Sequence, residues 1–182
     1  MAAVALAVLV CARPSPLTFL LGLTAAVAGE TIRFWAIGFS RGHTRGLEVE
    51  APFLATGGPY SRSRHPLYLG NALNSLGVTI AAIGRCTPTM AGALMLFSAT
   101  AFALVYGTII PLEEEYLALV HGEQYQSYKI SVPRLIPNLK GWVQGGGQFC
   151  LDSALYFERW TLFWWLLIWS WLGFLAFRMG GR

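Results

Sequence analysis

"CTPTMAGALMLFSATAFALVYGTIIPL", residues 86–112, runs for 27 residues without a formal charge. A helix of that length crosses a hydrocarbon core of about 30 Å with room to tilt. Lipid offers no hydrogen bonds to a bare backbone, so a chain committed to one such stretch is committed to helices wherever it meets the bilayer. The composition agrees: of 182 residues, 55% are hydrophobic and 12% charged, which marks an integral membrane protein rather than a soluble one.

Working outward, residues 66–84 give 19 more without a charge, softened by Asn71 and Asn74, with Tyr60 and Tyr68 placed for the headgroup level. Residues 160–177 give 18, crowded with Trp160, Trp164, Trp165, Trp169 and Trp171, and Glu158 with Arg159 marks the interface ahead of them. Residues 14–29 give 16, and continuing through Glu30 and Arg33 to Phe39 makes a full span. Those two charges stand three apart and can pair on one helix face. Residues 1–12 are too short to cross. Pro14 and Pro16 separate them from the next helix, so they read as a partial span or the first arm of a hairpin. No basic residue precedes the apolar run to support a cleaved signal peptide. The expectation is an all-α, polytopic bundle of about four or five membrane helices, a single integral-membrane domain over residues 1–182.

Two polar segments remain. One carries Arg41, Arg45, Arg62 and Arg64, the other Lys129, Arg134 and Lys140. A hairpin between them, turning at "GRCTP" (84–88), brings both out on one side, which the positive-inside rule makes cytoplasmic. Arg178 and Arg182 then fall on the other side, mildly against the rule. The net charge of +4 suits anionic headgroups, and no basic run is dense enough for nucleic acid. Cys11, Cys86 and Cys150 stand far apart in sequence and read as ordinary apolar residues, not as a disulfide framework or a zinc site; no metal is expected. "GWVQGGGQ" (141–148) reads as a flexible joint before the last helix.

The chemistry sits in "LATGGPYSRSRHPLYLGN" (54–71) and "PLEEEYLALVHGEQYQSYKISVPRLIP" (111–137). These resemble the bacterial members of the isoprenylcysteine carboxyl methyltransferase and phospholipid methyltransferase superfamily. The hallmark is a Gly-Pro-Tyr, here residues 58–60, then Arg-His-Pro-x-Tyr-x-Gly, residues 64–70. A distal Glu-Glu follows, then Tyr-x-x-Tyr, here Tyr125 and Tyr128, and a Val-Pro at 132–133. "GETIRFWAIG" (29–38) also resembles the helix preceding the motif. His121 departs from it, standing where members usually carry phenylalanine before the glycine. Counting back from Gly122 favours Glu113 and Glu114 as the acidic pair, and Glu114 belongs to it in either register.

The resemblance implies a small bundle of transmembrane helices with a methyltransferase-like core over about residues 30–137 and a Trp-rich helix over about 153–177. It further implies a cytoplasmic-face pocket that binds S-adenosylmethionine without a Rossmann domain, in a bacterial inner membrane. No strand followed by Gly-x-Gly-x-x-Gly and a helix is present in the sequence, in keeping with this.

S-adenosylmethionine carries a sulfonium, an ammonium, a carboxylate and a ribose, so its pocket needs an acid, a base or exposed amide, and an apolar wall. Glu113 and Glu114 can take the ribose hydroxyls or the ammonium, while Arg64 and His65 can hold a carboxylate or orient the substrate. Pro66 fixes the turn and Gly70 admits close approach of a ligand to backbone. Tyr68, Tyr125 and Tyr128 can line the adenine or sulfonium side. The catalytic candidates are thus Arg64, His65 and Glu114; the cofactor candidates are His65, Pro66, Tyr68, Gly70, Glu113, Glu114, Tyr125 and Tyr128. Singly each has a plainer reading: arginines as membrane-edge anchors, glutamates after Pro111 complementing a helix start, tyrosines as packing.

Methyl transfer to a carboxylate needs no base and gains from a water-poor site, whereas a lipid amine must first lose a proton. A lipophilic acceptor entering between helices suits either. Two other classes stand beside this reading. One is an NADPH-dependent membrane reductase similar to the sterol reductases, for which the chain supplies few basic groups. The other is a non-enzymatic membrane protein of the same fold.

Overall fold

A computed structural model describes residues 2–40, 53–138 and 146–178. They form five helices: α1 (Ala2–Val10), α2 (Pro16–Ser40), α3 (Pro66–Ala82), α4 (Pro88–Ser131) and α5 (Leu151–Arg178), with a single 3-10 turn at Gly58–Ser61. No strand occurs among the described residues. Three helices open on proline, whose fixed φ and missing N–H suit a first helical position. Side chains complete two of these starts. The Thr18 amide donates to Ser15 Oγ at 3.2 Å, and the Met90 amide to Thr87 Oγ1 at 3.3 Å.

By length and composition α2, α4 and α5 can each cross a membrane. α1, nine residues, is too short, as expected of a hairpin arm. α3 reaches 17 residues, the lower limit of a span, because the chain turns away after Ala82. α4 runs unbroken through Pro111, so the glutamates that follow it do not begin a helix. It is two helices joined at a kink, and the stretch ahead of the kink, residues 88–121, is by itself about 51 Å long, more than a hydrocarbon core of about 30 Å. Its one irregularity is Gly122, at φ 52° and ψ −126°.

The chain divides into two compact units. The first comprises Met1–Glu30, Asn71–Gly107 and Trp160–Arg182. Its core is Ala26, Ala81, Trp169 and Leu172, flanked by Phe19, Leu23, Val78 and Trp165, with a smaller cluster of Val8, Ala82 and Leu94. α2 and α3 meet backbone to backbone at Gly22 and Gly77: a Cβ on Gly22 would collide with the Gly77 carbonyl oxygen. Small residues at a crossing are how helices approach closely in lipid, where apolar surface has no solvent to escape. The asparagines that softened α3 are put to use. Trp165 Nε1 donates to Asn74 Oδ1 at 2.9 Å, Asn74 Nδ2 to Glu30 Oε2 at 3.0 Å, and Asn71 Nδ2 to the Tyr106 hydroxyl at 2.8 Å. At one end of this unit the Arg13 amide donates to the Ala82 carbonyl and the Arg85 amide to the Arg13 carbonyl, both at 2.7 Å. The Arg85 guanidinium adds bonds to the carbonyls of Pro14 (2.8 Å) and Ala176 (3.3 Å), the latter in the last turn of α5.

The second unit comprises Thr31–Gly70 and Thr108–Arg159. Here Arg33 Nη2 reaches both oxygens of Glu158, at 2.9 and 3.3 Å, and Glu158 is fully buried. The sequence placed Glu158 at an interface. It is buried and paired there, and the ion pair offsets part of the desolvation cost of the carboxylate. Tyr125, Tyr128 and Val132 form a small core with Leu54, Leu117 and Ala118. The expected joint at 141–148 lies mostly outside the described residues.

Candidate active site

Within the second unit the two motif-bearing segments are sewn together through their backbones. The Arg64 amide donates to the Pro133 carbonyl at 2.9 Å, His65 to Arg134 at 3.1 Å, and Asn138 to Arg62 at 3.0 Å. Ser63 Oγ adds bonds to the carbonyls of Arg134 and Leu135 at 3.2 and 3.0 Å. These pairings fix where the side chains of Arg64 and His65 emerge.

They emerge on Glu114. Its Oε1 accepts from Arg64 Nη2 at 2.8 Å and Nε at 3.2 Å, and from Arg134 Nε at 3.1 Å. His65 Nε2 lies 3.2 Å from the same oxygen. Oε2 accepts from Arg134 Nη2 at 2.7 Å. Two guanidiniums and an imidazole thus converge on one carboxylate, itself only 4% exposed. Arg64 is held from behind as well: its Nη1 donates to the carbonyls of Lys129 and Val132 at the end of α4, where the helix dipole favours a cation.

Glu113 is placed differently. Its Oε2 accepts from the Tyr68 hydroxyl at 2.6 Å and lies 3.5 Å from His65 Nδ1, and its side chain is 26% exposed. His65 therefore bridges the two acids, with its ring stacked on Tyr68 at a centroid separation of 5.4 Å. Glu114 has its lone pairs subscribed, whereas Glu113 keeps room for another donor.

The tyrosines divide too. Tyr128 donates to the Tyr60 carbonyl at 2.7 Å, which ties α4 to the turn preceding the arginines. Tyr125 is completely buried and its hydroxyl has no hydrogen-bond partner among the described residues. Burial pushes the Tyr60 phenol well above its ordinary range, so it stays protonated. The hydrogen bond to Glu114 raises the Arg134 guanidinium further, against a smaller loss from burial.

Of the residues singled out in sequence, Arg64, His65, Tyr68, Glu113 and Glu114 meet in one hydrogen-bonded cluster. Pro66 opens α3 directly beneath His65 and is buried, as is Gly70 one turn on. Tyr125 and Tyr128 belong to the neighbouring core rather than to the bonded cluster. Sequence reasoning passed over Arg134, counted only as a charge on the polar side, and Ser63. The signal for Arg134 was its place directly after the Val-Pro of the second motif half. Among the described residues no group of three or more His, Cys, Asp and Glu side chains is placed to hold a metal ion.

The donor set fits S-adenosylmethionine: a part-exposed carboxylate for an ammonium or ribose, an aromatic face at Tyr68, and an orphaned buried hydroxyl at Tyr125.

Compared with known proteins, residues 41–132 match the family described as "Protein of unknown function (DUF1295)". The chain is 34% identical over 125 residues to the cobalt-zinc-cadmium resistance protein CzcN of Cupriavidus metallidurans, covering 69% of this chain and 51% of that protein. It is 35% identical over 124 residues to protein-S-isoprenylcysteine O-methyltransferase B of Arabidopsis thaliana, 64% of this chain and 57% of that one. Over 80 residues it is 39% identical to methanethiol S-methyltransferase of Crocosphaera subtropica, 43% of this chain and 27% of the relative. The chain therefore spans about half the length of the first two. No solved structure matches at the same stringency.

Proposed function

We propose that this chain, which belongs to the DUF1295 family and with it to the isoprenylcysteine and phospholipid methyltransferase superfamily, is an integral-membrane methyltransferase using S-adenosylmethionine and a lipophilic acceptor. The observation that carries the reading is the convergence of both motif halves on Glu114 through Arg64, His65 and Arg134. Relatives named as isoprenylcysteine O-methyltransferase and methanethiol S-methyltransferase support it.

In this reading Glu114 is the hub that keeps two guanidiniums and the imidazole in register. Glu113, with an exposed edge, receives the ammonium or a ribose hydroxyl, and Tyr68 and Tyr125 complete the pocket wall. When bound, S-adenosylmethionine supplies an electrophilic methyl group. The chain's own contribution is positional: it holds the acceptor in line and keeps water out, which favours reactions that consume opposite charges. A carboxylate acceptor needs no proton removed. An amine acceptor would pass its proton to His65 or through water to Glu113. The site faces the cytoplasm from a bacterial inner membrane in this scheme, and the acceptor arrives laterally from lipid.

The test is calorimetric binding of S-adenosylhomocysteine to the detergent-purified chain, alongside Glu113→Gln and His65→Ala, with thermal melts of all three. Micromolar binding by the wild type, weakened at least tenfold (~1.4 kcal/mol) in folded variants, is expected. No binding by a folded, monodisperse wild type would sink the reading.

A further inference from the structure

We propose that Cys11 and Cys86, 75 residues apart in sequence, form a site for an intramolecular disulfide that staples the α1–α2 turn to the α3–α4 turn. Read along the chain these cysteines had nothing to do with one another. In the folded first unit Cys86 Sγ lies 3.9 Å from the Cys11 carbonyl oxygen. Both side chains pack against the same cluster of Val8, Ala82 and Leu94. The backbone around them is already pinned by the Arg13 and Arg85 amide bonds, so little chain entropy is left to lose in bringing the two sulfurs together. Both residues are partly exposed, so a reagent can reach them. Cys150 belongs to the other unit, beside Ser153, and serves as an internal control.

The chemistry is thiol–disulfide exchange with a small-molecule disulfide such as oxidised glutathione. One cysteine thiolate attacks it, expelling one glutathione thiolate and leaving a mixed disulfide. The second cysteine thiolate attacks the protein sulfur of that intermediate, forms the Cys11–Cys86 bond and expels the second glutathione thiolate. Two electrons leave with the two glutathiones, which take up the two protons.

The staple has a bearing on orientation. α3 starts at Pro66, beside His65, and ends at Ala82, beside this turn. Structural disulfides persist in oxidising compartments, so a staple formed in cells marks the turn after Ala82 as lying on the oxidising side.

The experiment treats the full chain in detergent micelles with oxidised glutathione and alkylates the remaining thiols after denaturation. Fragments are then read by mass spectrometry without reduction. A Cys11–Cys86 cross-linked fragment is expected, with Cys150 alkylated and a melting temperature several degrees above that of the reduced protein. In Cys11→Ser, Cys86 should be recovered alkylated or as a glutathione adduct. Recovery of Cys11 and Cys86 separately from folded wild type, or a cross-link from either to Cys150 or to a second copy, would overturn the proposal. The fragment masses decide the matter in wild type even if the variant fails to fold.

Discussion

Arg64 and Arg134 both bind Glu114, yet they are not equivalent. The Arg64 side chain is 7% exposed and also caps the end of α4; that of Arg134 is 50% exposed. Losing Arg64 removes a buried cation together with its bonds to Glu114 and to two carbonyls, although Glu114 keeps Arg134 and His65, whereas the half-exposed Arg134 is screened by solvent. Arg64→Gln should therefore lower the melting temperature sharply, and Arg134→Gln should leave it within about 1 kcal/mol of wild type in denaturant titrations. Equal losses would mean that the two arginines share the load. This asymmetry was not legible in the sequence. Arg64 was picked out by its motif, but Arg134 reaches Glu114 across 20 residues of chain, and its place after the Val-Pro does not say which carboxylate it meets. The pairing of Glu158 was hidden for the same reason, since its partner Arg33 lies 125 residues away.

At the level of elements, the charge-free residues 86–112 announced α4, and the prolines announced where three helices start. What they did not announce is that the helix continues through Pro111 to carry the glutamates, with both tyrosines following on a second helix beyond a kink at Gly122. A proline normally ends a helix, and only tertiary contacts decide otherwise. The redirection happens instead at Gly122, whose φ of 52° and ψ of −126° suit glycine alone. Gly122→Ala meets no steric obstacle, since nothing lies within 4 Å of the added carbon, so its cost is purely conformational. A loss of about 1–3 kcal/mol is expected. Because Tyr128, Val132 and the carbonyls that hold Arg64 all follow the break, ligand affinity should fall together with stability. A melt unchanged from wild type would show that the segment tolerates a straight helix.

For the whole molecule, hydropathy identified a membrane protein, and the structure shows which apolar side chains it leaves uncovered. Trp160, Trp164 and Trp171 on α5 are each more than half exposed, as are Leu96 and Leu104 on α4. That much apolar surface is stable only under acyl chains or detergent. Membrane fractions washed at alkaline pH should keep the chain in the pellet, and detergent should release it. Release by the wash alone would contradict α2, α4 and α5 as spanning helices. The class of fold was legible because lipid imposes so few solutions; the distribution of bonds across it was not, because each depends on residues far apart in the chain. That separation also sets an order of events during synthesis. Every bond of the Glu114 cluster can close once the chain has emerged from the ribosome to residue 138, before α5 exists. Arg85 waits longer: its bond to Ala176 needs α5, so a helix translated some ninety residues later latches the turn between α3 and α4.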